Sequence, residues 1–358
     1  MSTKKSKIYT QKEISLLDAA SLDELLTKFK VDTNVWEVSK YITNIWGNSN
    51  HPNHQVKAWL NKKIVNIDNR EDFVRELVEE MKQYSLQVAP RIQKISNERN
   101  ALLINLSDLH LGRLAWAVET GFGNYDVKIA TNIVNEAVDT LLKRASGYQI
   151  ERIIFLLGGD YFNYNTSNPF PQTVNGTPQE SDVRQQKMFR IGRELACKQI
   201  ERLSMHATVE VVIIKGNHDA ELIFGLGEVL EAKYENNSNI IVDNIPIDRK
   251  YKTYGTNLIG VSHGKYEKKT DLPMLMANEA KQHWGDADYK YFHIGHKHHE
   301  FVEDRQGVII LTAPTAAEVD DYEASRGYTM ANRAVKAWVY NWNDGEIASI
   351  THNIKSKY

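Results

Sequence analysis

Ala101-Leu102-Leu103-Ile104-Asn105-Leu106-Ser107-Asp108-Leu109-His110 joins a short apolar run to an Asp-x-His pair. A brief run of this kind, bounded by polar residues, predicts a strand buried on both faces. The arrangement recurs down the chain. Ile153 to Leu157 precedes Gly159-Asp160, and Val209 to Ile214 precedes Gly216-Asn217-His218-Asp219. Leu258 to Val261 precedes Ser262-His263-Gly264, and Tyr291 to Ile294 precedes Gly295-His296-Lys297-His298. Any one of these motifs occurs by chance in many chains, so the specificity lies in the ordered set. Polar groups at the carboxyl ends of neighbouring strands converge on one crevice of an α/β sheet. Five strand-end motifs therefore predict one site.

Carboxylate, amide and imidazole donors without thiolates suit manganese, iron, zinc or magnesium. A carboxylate between two cations can bridge them at roughly 3.5–4 Å, the separation used for in-line displacement at phosphorus. Asp160 is the natural bridge.

From Ala101 to near the C-terminus the chain resembles the calcineurin-like metallophosphoesterases, nearest to the DNA-repair-exonuclease-like and phage-type members. The resemblance implies that Asp108, His110 and His298 hold one metal, that Asn217, His263 and His296 hold a second, and that Asp160 is shared. Two divalent ions, Mn2+ first with Fe, Zn or Mg as alternatives, are the implied cofactor. His218 matches the family's catalytic histidine, and Asn163 and Asp219 complete the implied catalytic set. Asn163, in Gly159-Asp160-Tyr161-Phe162-Asn163, is expected to orient His218 by hydrogen bonding. Protein phosphatases of the superfamily continue this motif with Asp-Arg-Gly. Here it continues Asn163-Tyr164-Asn165, which argues against that substrate class.

His299 extends the fifth motif, but alternation of side chains leaves it a bystander. His51, His54, His206, His283, His293 and His352 match no motif and default to structural or surface roles. Cys197 is the single cysteine, which excludes an internal disulfide framework and predicts a packing role.

The formal net charge of −2 argues against a strongly basic nucleic-acid binder as a whole, though not against a local basic groove. No stretch reads as a signal peptide or membrane span, so a cytoplasmic protein without a membrane partner is the default expectation.

The first hundred residues contribute nothing to the motif set. Ser21-Leu22-Asp23-Glu24 is a capping-box pattern opening a helix to about Phe29. Val35 to Ile45, with Trp36, Val38, Tyr41, Ile42 and Ile45 as core candidates, predicts a second helix, and Gln55 to Leu60 a strand. The expectation is an N-terminal helical domain over residues 1–88, a winged helix-turn-helix made locally basic at its two ends by Lys4, Lys5 and Lys7 and by Lys57, Lys62 and Lys63. Glu71 to Tyr84 predicts an amphipathic helix. Residues 89–100 read as a linker, and 101–358 as the phosphoesterase domain.

In that domain, helices are predicted over Val127 to Ala145, Asp182 to Met205 and Pro273 to His283. Strands follow at Phe301 to Glu303, Val308 to Leu311, Val335 to Tyr340 and Ile347 to Thr351. An α/β half followed by a β-rich half predicts a two-sheet αββα sandwich. The polar loop from Asn163 to Gln179 is expected to line the substrate groove, with Tyr161, Phe162, Tyr164 and Phe170 able to stack on bases. Asp320 to Tyr328 is a further rim segment.

The reading is a nuclease hydrolysing phosphodiester bonds of DNA. A phosphodiesterase for a small or cyclic nucleotide is the alternative, and a non-catalytic DNA-binding or scaffold protein the third. Repair relatives suggest a homodimer, while no sequence pattern identifies an ATPase partner.

Overall fold

The structure, a computed structural model, describes residues 11–17, 21–48, 51–62 and 98–355. The chain divides into two compact units, Met1–Asp72 and Phe73–Tyr358. The expected helix over 71–84, most of the linker at 89–100, and Lys4, Lys5, Lys7 and Lys63 lie outside the described residues.

In the first unit, β1 (Gln11–Leu17), α1 (Leu22–Lys28), β2 (Trp36–Asn48) and β3 (His51–Lys62) form an antiparallel sheet of order β1-β3-β2 and one helix. Ser21 caps α1, its hydroxyl accepting from the Glu24 amide at 3.2 Å. Ile14, Leu25, Val56, Ala58 and Leu60 form the core. The helix expected from Val35 to Ile45 is a strand, so the described residues of this unit hold one helix, α1, and no helix-turn-helix. Its apolar positions fit a helical stripe and a bulged strand about equally. β-Branched and aromatic residues decide the matter once β3 offers a ladder. A register shift between Val38 and Lys40 changes the alternation. Beyond it Tyr41, Ile42, Ile45 and Trp46 are exposed rather than core.

The second unit opens with β4 (Asn100–Leu106), α2 (Ala117–Thr120), α3 (Val127–Arg144), β5 (Ile150–Gly158), α4 (Gln185–Ser204), β6 (Thr208–Ile214), α5 (Ala220–Tyr234) and β7 (Ile240–Asp243). It continues with β8 (Lys250–Tyr254), β9 (Asn257–Val261), α6 (Leu272–Glu279), α7 (Lys281–Trp284), β10 (Tyr289–Ile294), β11 (Phe301–Arg305) and β12 (Val308–Thr312). Helix α8 (Asp321–Ser325) and the hairpin β13 (Ala334–Asn341) and β14 (Gly345–Asn353) close it. One sheet has the order β14-β13-β4-β5-β6-β7, with β4 to β7 parallel, and the other β11-β12-β10-β9-β8.

Alternation along each central strand builds the layers. Leu102, Ile104 and Leu106 of β4, Ile153, Phe155 and Leu157 of β5, and Val209, Val211 and Ile213 of β6 face α3, α4 and α5. Ala101, Leu103, Ile154, Leu156, Val212 and Ile214 point the other way, against Ile259, Val261, Tyr291 and Leu311 of the second sheet. Leu258, Phe292 and Ile310 cover that sheet's outer face with Leu272 and Met276. The second unit is thus an α/β sandwich of two sheets between helical layers. Helix α5 drew no expectation because Gly225 and Gly227 weaken its helical signal.

Phe155 is fully buried between β5 and the helices. Phe155→Ala is expected to cost about 3–5 kcal/mol of stability. A urea titration should show a lowered midpoint with an unchanged slope.

Candidate metal centre

All five motifs lie at the carboxyl ends of parallel strands: Asp108 and His110 after β4, Asp160 after β5, Asn217 and His218 after β6, His263 after β9, and His296 and His298 after β10. The loops that carry them are strained. Asp108, His110, Asp160, His296 and His298 all have positive φ, between 47° and 68°. Such conformations cost of order 1–3 kcal/mol each and persist where surrounding structure holds them. Here the loops hold one another. The Asp108 amide donates to the Gly159 carbonyl at 2.8 Å, the His110 amide to the Asp160 carbonyl at 2.9 Å, and the Gly295 amide to the His263 carbonyl at 3.0 Å. Gly216 and Gly295 are required by contact: a Cβ on Gly216 would collide with Asp160, and one on Gly295 with the Asp108 carboxylate.

The donors converge in three overlapping groups, Asp108 with His110 and His298, His110 with Asp160 and His218, and Asp160 with His263 and His296. His110 Nε2 faces His298 Nε2 at 3.1 Å, and His298 Nε2 lies 3.5 Å from Asp108 Oδ1. Two ring nitrogens this close must share a proton or a cation. His263 Nε2 lies 3.0 Å from Asn217 Oδ1 and 3.1 Å from Asp160 Oδ2, which brings Asn217 into the same cluster. Asp108, His110, Asp160 and His263 are buried, and His110 Nδ1 and His263 Nδ1 have no hydrogen-bond partner. Buried carboxylates and imidazoles crowded lone pair to lone pair fit a divalent cation.

The electrostatics agree. Burial alone would raise Asp160, but His263 and His218 hold it well below the ordinary carboxylate value. Burial pulls His263 and His298 down, yet carboxylates lift both to about 9, Asp160 acting on the first, and Asp108 with Glu323 on the second. Those two positions favour positive charge, whereas burial and neighbouring cations hold His110 and His296 below the ordinary imidazole value.

His218 Nδ1 lies 2.8 Å from the Asn163 main-chain carbonyl, which can only accept, so Nδ1 carries hydrogen and Nε2 turns towards Asp160 Oδ2, 3.9 Å away. The expected Asn163–His218 link therefore exists, but through the backbone. The Asn163 side chain donates to the Glu180 carbonyl at 2.9 Å. Asp219 is fully buried and accepts from the amides of Asp160, Phe162 and Gly216 at 3.3, 2.9 and 3.1 Å. It organises the loops from beneath. Burial and the nearby Asp160 raise its carboxyl to about 7.

Tyr161, Phe162 and Tyr164 are core residues rather than a stacking surface. Tyr161 donates to the Gly192 carbonyl, Phe162 stacks on Phe189, and Tyr164 donates to the Val183 carbonyl. Of that expected set only Phe170 is exposed. The loop does reach the site, the Val174 amide donating to the Asn217 carbonyl at 3.0 Å. His299 is exposed, with its ring Nδ1 on the Lys297 carbonyl at 2.8 Å. His293 is buried against the Tyr340 hydroxyl. Cys197 is a buried free thiol.

The sequence placed Glu323 only in a rim segment, whereas it contacts both His298 and Arg113. A signal was present, since Asp320-Asp321-Tyr322-Glu323 is an Asp-x-x-Glu capping box opening α8. Arg113, buried three residues beyond His110 but 210 positions from Glu323, carried none.

A family model described as calcineurin-like phosphoesterase matches residues 103–346. An archaeal phosphodiesterase structure is 11% identical with a TM-score of 0.33, and the match covers 71% of this chain and 99% of that one. Vacuolar protein sorting 29 from Cryptosporidium parvum is 13% identical with a TM-score of 0.31, covering 73% and 99%. A putative 5′-nucleotidase from Staphylococcus aureus is 12% identical with a TM-score of 0.34, covering 72% and 55%. No curated protein sequence matches the chain. Among the described residues no helix is long and apolar enough to cross a membrane.

Proposed function

Because the chain belongs to the calcineurin-like phosphoesterase family, we propose that it is a divalent-metal-dependent nuclease that hydrolyses phosphodiester bonds of DNA. Asp108, His110 and His298 would hold one ion, Asn217, His263 and His296 a second, with Asp160 between them and Mn2+ the first candidate. Bound there, divalent ions supply Lewis acidity towards a phosphate and lower the pKa of water.

The remaining chemistry belongs to the chain's own groups. Hydrolysis breaks one P–O bond and adds water across it. The leaving oxygen finishes with a proton, which His218 can deliver from Nε2 in its imidazolium form while Nδ1–H stays on the Asn163 carbonyl. Burial lowers the His218 pKa more than Asp160 raises it, so the ring gives up that proton readily.

A basic face beside the site supports a polymeric substrate. Lys265 lies two residues beyond His263, and Lys297 separates His296 from His298. Lys265, Lys268 and Lys297 are exposed and make no ion pair among the described residues, and Tyr266 beside them is exposed as well. Nearby Glu267 and Asp248 are engaged, by the Ser262 hydroxyl and by Lys215. Unpaired cations flanking a phosphate site suit the next phosphates of a strand.

The test is to supply Mn2+ with end-labelled linear, nicked and single-stranded DNA and a chromogenic phosphodiester, using wild type and Lys265→Ala/Lys297→Ala. DNA cleavage is expected. In the variant DNA turnover should fall more than diester turnover, and the slope of log affinity against log salt should shrink by about one per lysine. Hydrolysis of the small diester with DNA untouched would replace the proposal with a small-molecule phosphodiesterase.

A further inference from the structure

We infer that Glu323 is a positioning residue for His298, fixing which ring nitrogen faces the donor cluster and tying that histidine to His110 through Arg113. The inference rests on the metal-dependent reading above. Glu323 Oε1 lies 2.9 Å from His298 Nδ1, and its other oxygen accepts from Arg113 at 2.9 Å. A carboxylate held at both oxygens cannot rotate away. As it only accepts, His298 Nδ1 carries hydrogen, which directs Nε2, the nitrogen a cation would take, at His110 and Asp108.

The contacts close on themselves. The Arg113 amide donates to the His110 carbonyl at 2.9 Å, the Arg113 guanidinium meets Glu323, Glu323 meets His298, and His298 faces His110 at 3.1 Å. Residues more than 200 positions apart thus set the spacing of two implied ligands. Helix α8 holds the carboxylate in place. The Glu323 amide donates to Asp320 Oδ1 at 2.9 Å, and the Asp320 amide to Glu323 Oε2 at 3.4 Å. Arg113 is buried, with further contacts to the Glu318 carbonyl at 3.2 Å and to Asp320 Oδ2 at 3.5 Å. Were Glu323 only a counter-ion for Arg113, His298 Nδ1 would have no partner here. Carboxylates behind metal-binding histidines fix their tautomer and commonly contribute about 10–100-fold in metal affinity.

The experiment is calorimetric titration of the metal-free full chain with Mn2+, comparing wild type, Glu323→Ala, Glu323→Gln and Asp320→Ala. A parallel 1H–15N spectrum of the metal-free protein reads the His298 Nδ1–H. Glu323→Ala should weaken Mn2+ binding about 10–100-fold and lose the protected ring N–H signal. Glu323→Gln keeps an acceptor for His298 and a side chain suited to the capping box, so it should recover part of both. Asp320→Ala, which removes the α8 cap but leaves Glu323 its contacts to His298 and Arg113, should lose clearly less than Glu323→Ala. Equal affinity and an unchanged ring signal in Glu323→Ala would overturn the inference, as would an equal loss in Asp320→Ala. Wild type that binds no Mn2+ would overturn the metal reading and this inference with it. Binding by wild type with no effect of Glu323 would remove the inference alone.

Discussion

His218→Ala protein should hydrolyse a phosphodiester about 10²–10⁴-fold more slowly than wild type, the usual contribution of a positioned acid or base, while keeping its bound metal. The reason is geometric. His218 Nδ1 is committed to the Asn163 carbonyl, and its Nε2 lies 3.9 Å from Asp160 Oδ2, within reach of the cluster but farther out than His263 at 3.1 Å. The ring also meets His110 edge to face with centroids 4.6 Å apart, so removing it leaves space beside a ligand without deleting one of the closest donors. Metal content per chain, read by plasma mass spectrometry beside kcat, separates the two roles open to this histidine. Lost activity with retained metal fits a proton donor. Loss of metal together with activity would make His218 a ligand instead.

Asp160→Ala should do more damage, emptying the site of metal and reducing activity further than His218→Ala. Asp160 and His110 are the two groups shared between donor clusters, and of these only the Asp160 carboxylate has two oxygens to offer. One oxygen also accepts from the His218 amide at 2.7 Å while the other faces His263. Asp160→Asn keeps the shape and an acceptor for the His218 amide but removes the charge. It should therefore restore loop order without restoring metal uptake. Equilibrium dialysis of both variants against Mn2+ checks this. Either variant holding the wild-type complement of metal would end the bridging role.

Failed expectations bear on the choice of substrate. A winged helix-turn-helix and a stacking surface at Tyr161, Phe162 and Tyr164 had both pointed towards nucleic acid. The described residues replace the first with a three-stranded sheet and bury the second in the core. DNA as substrate now stands on the basic face around Lys265 and Lys297 and on Asn163-Tyr164-Asn165 in place of Asp-Arg-Gly. The lysine double variant therefore tests the part of the proposal that carries most weight.

By itself the sequence determined the sandwich and the donor set. A strand such as Leu102 to Leu106, buried on both faces, must be apolar throughout, while the polar residues that end it must find partners at one edge of the sheet. Both constraints are local, and both are written in consecutive residues. Only the tertiary structure decided what lies behind those donors. That Asn163 holds His218 through a carbonyl depends on a main-chain atom every residue possesses, so side-chain identity could not disclose it. The pairing of Glu323 with His298 and Arg113 joins residues 25 and 210 positions apart. No periodicity spans such separations. Val35 to Ile45 became a strand because β3 offered it a ladder, an interaction between segments that the spacing of apolar residues within one segment does not encode.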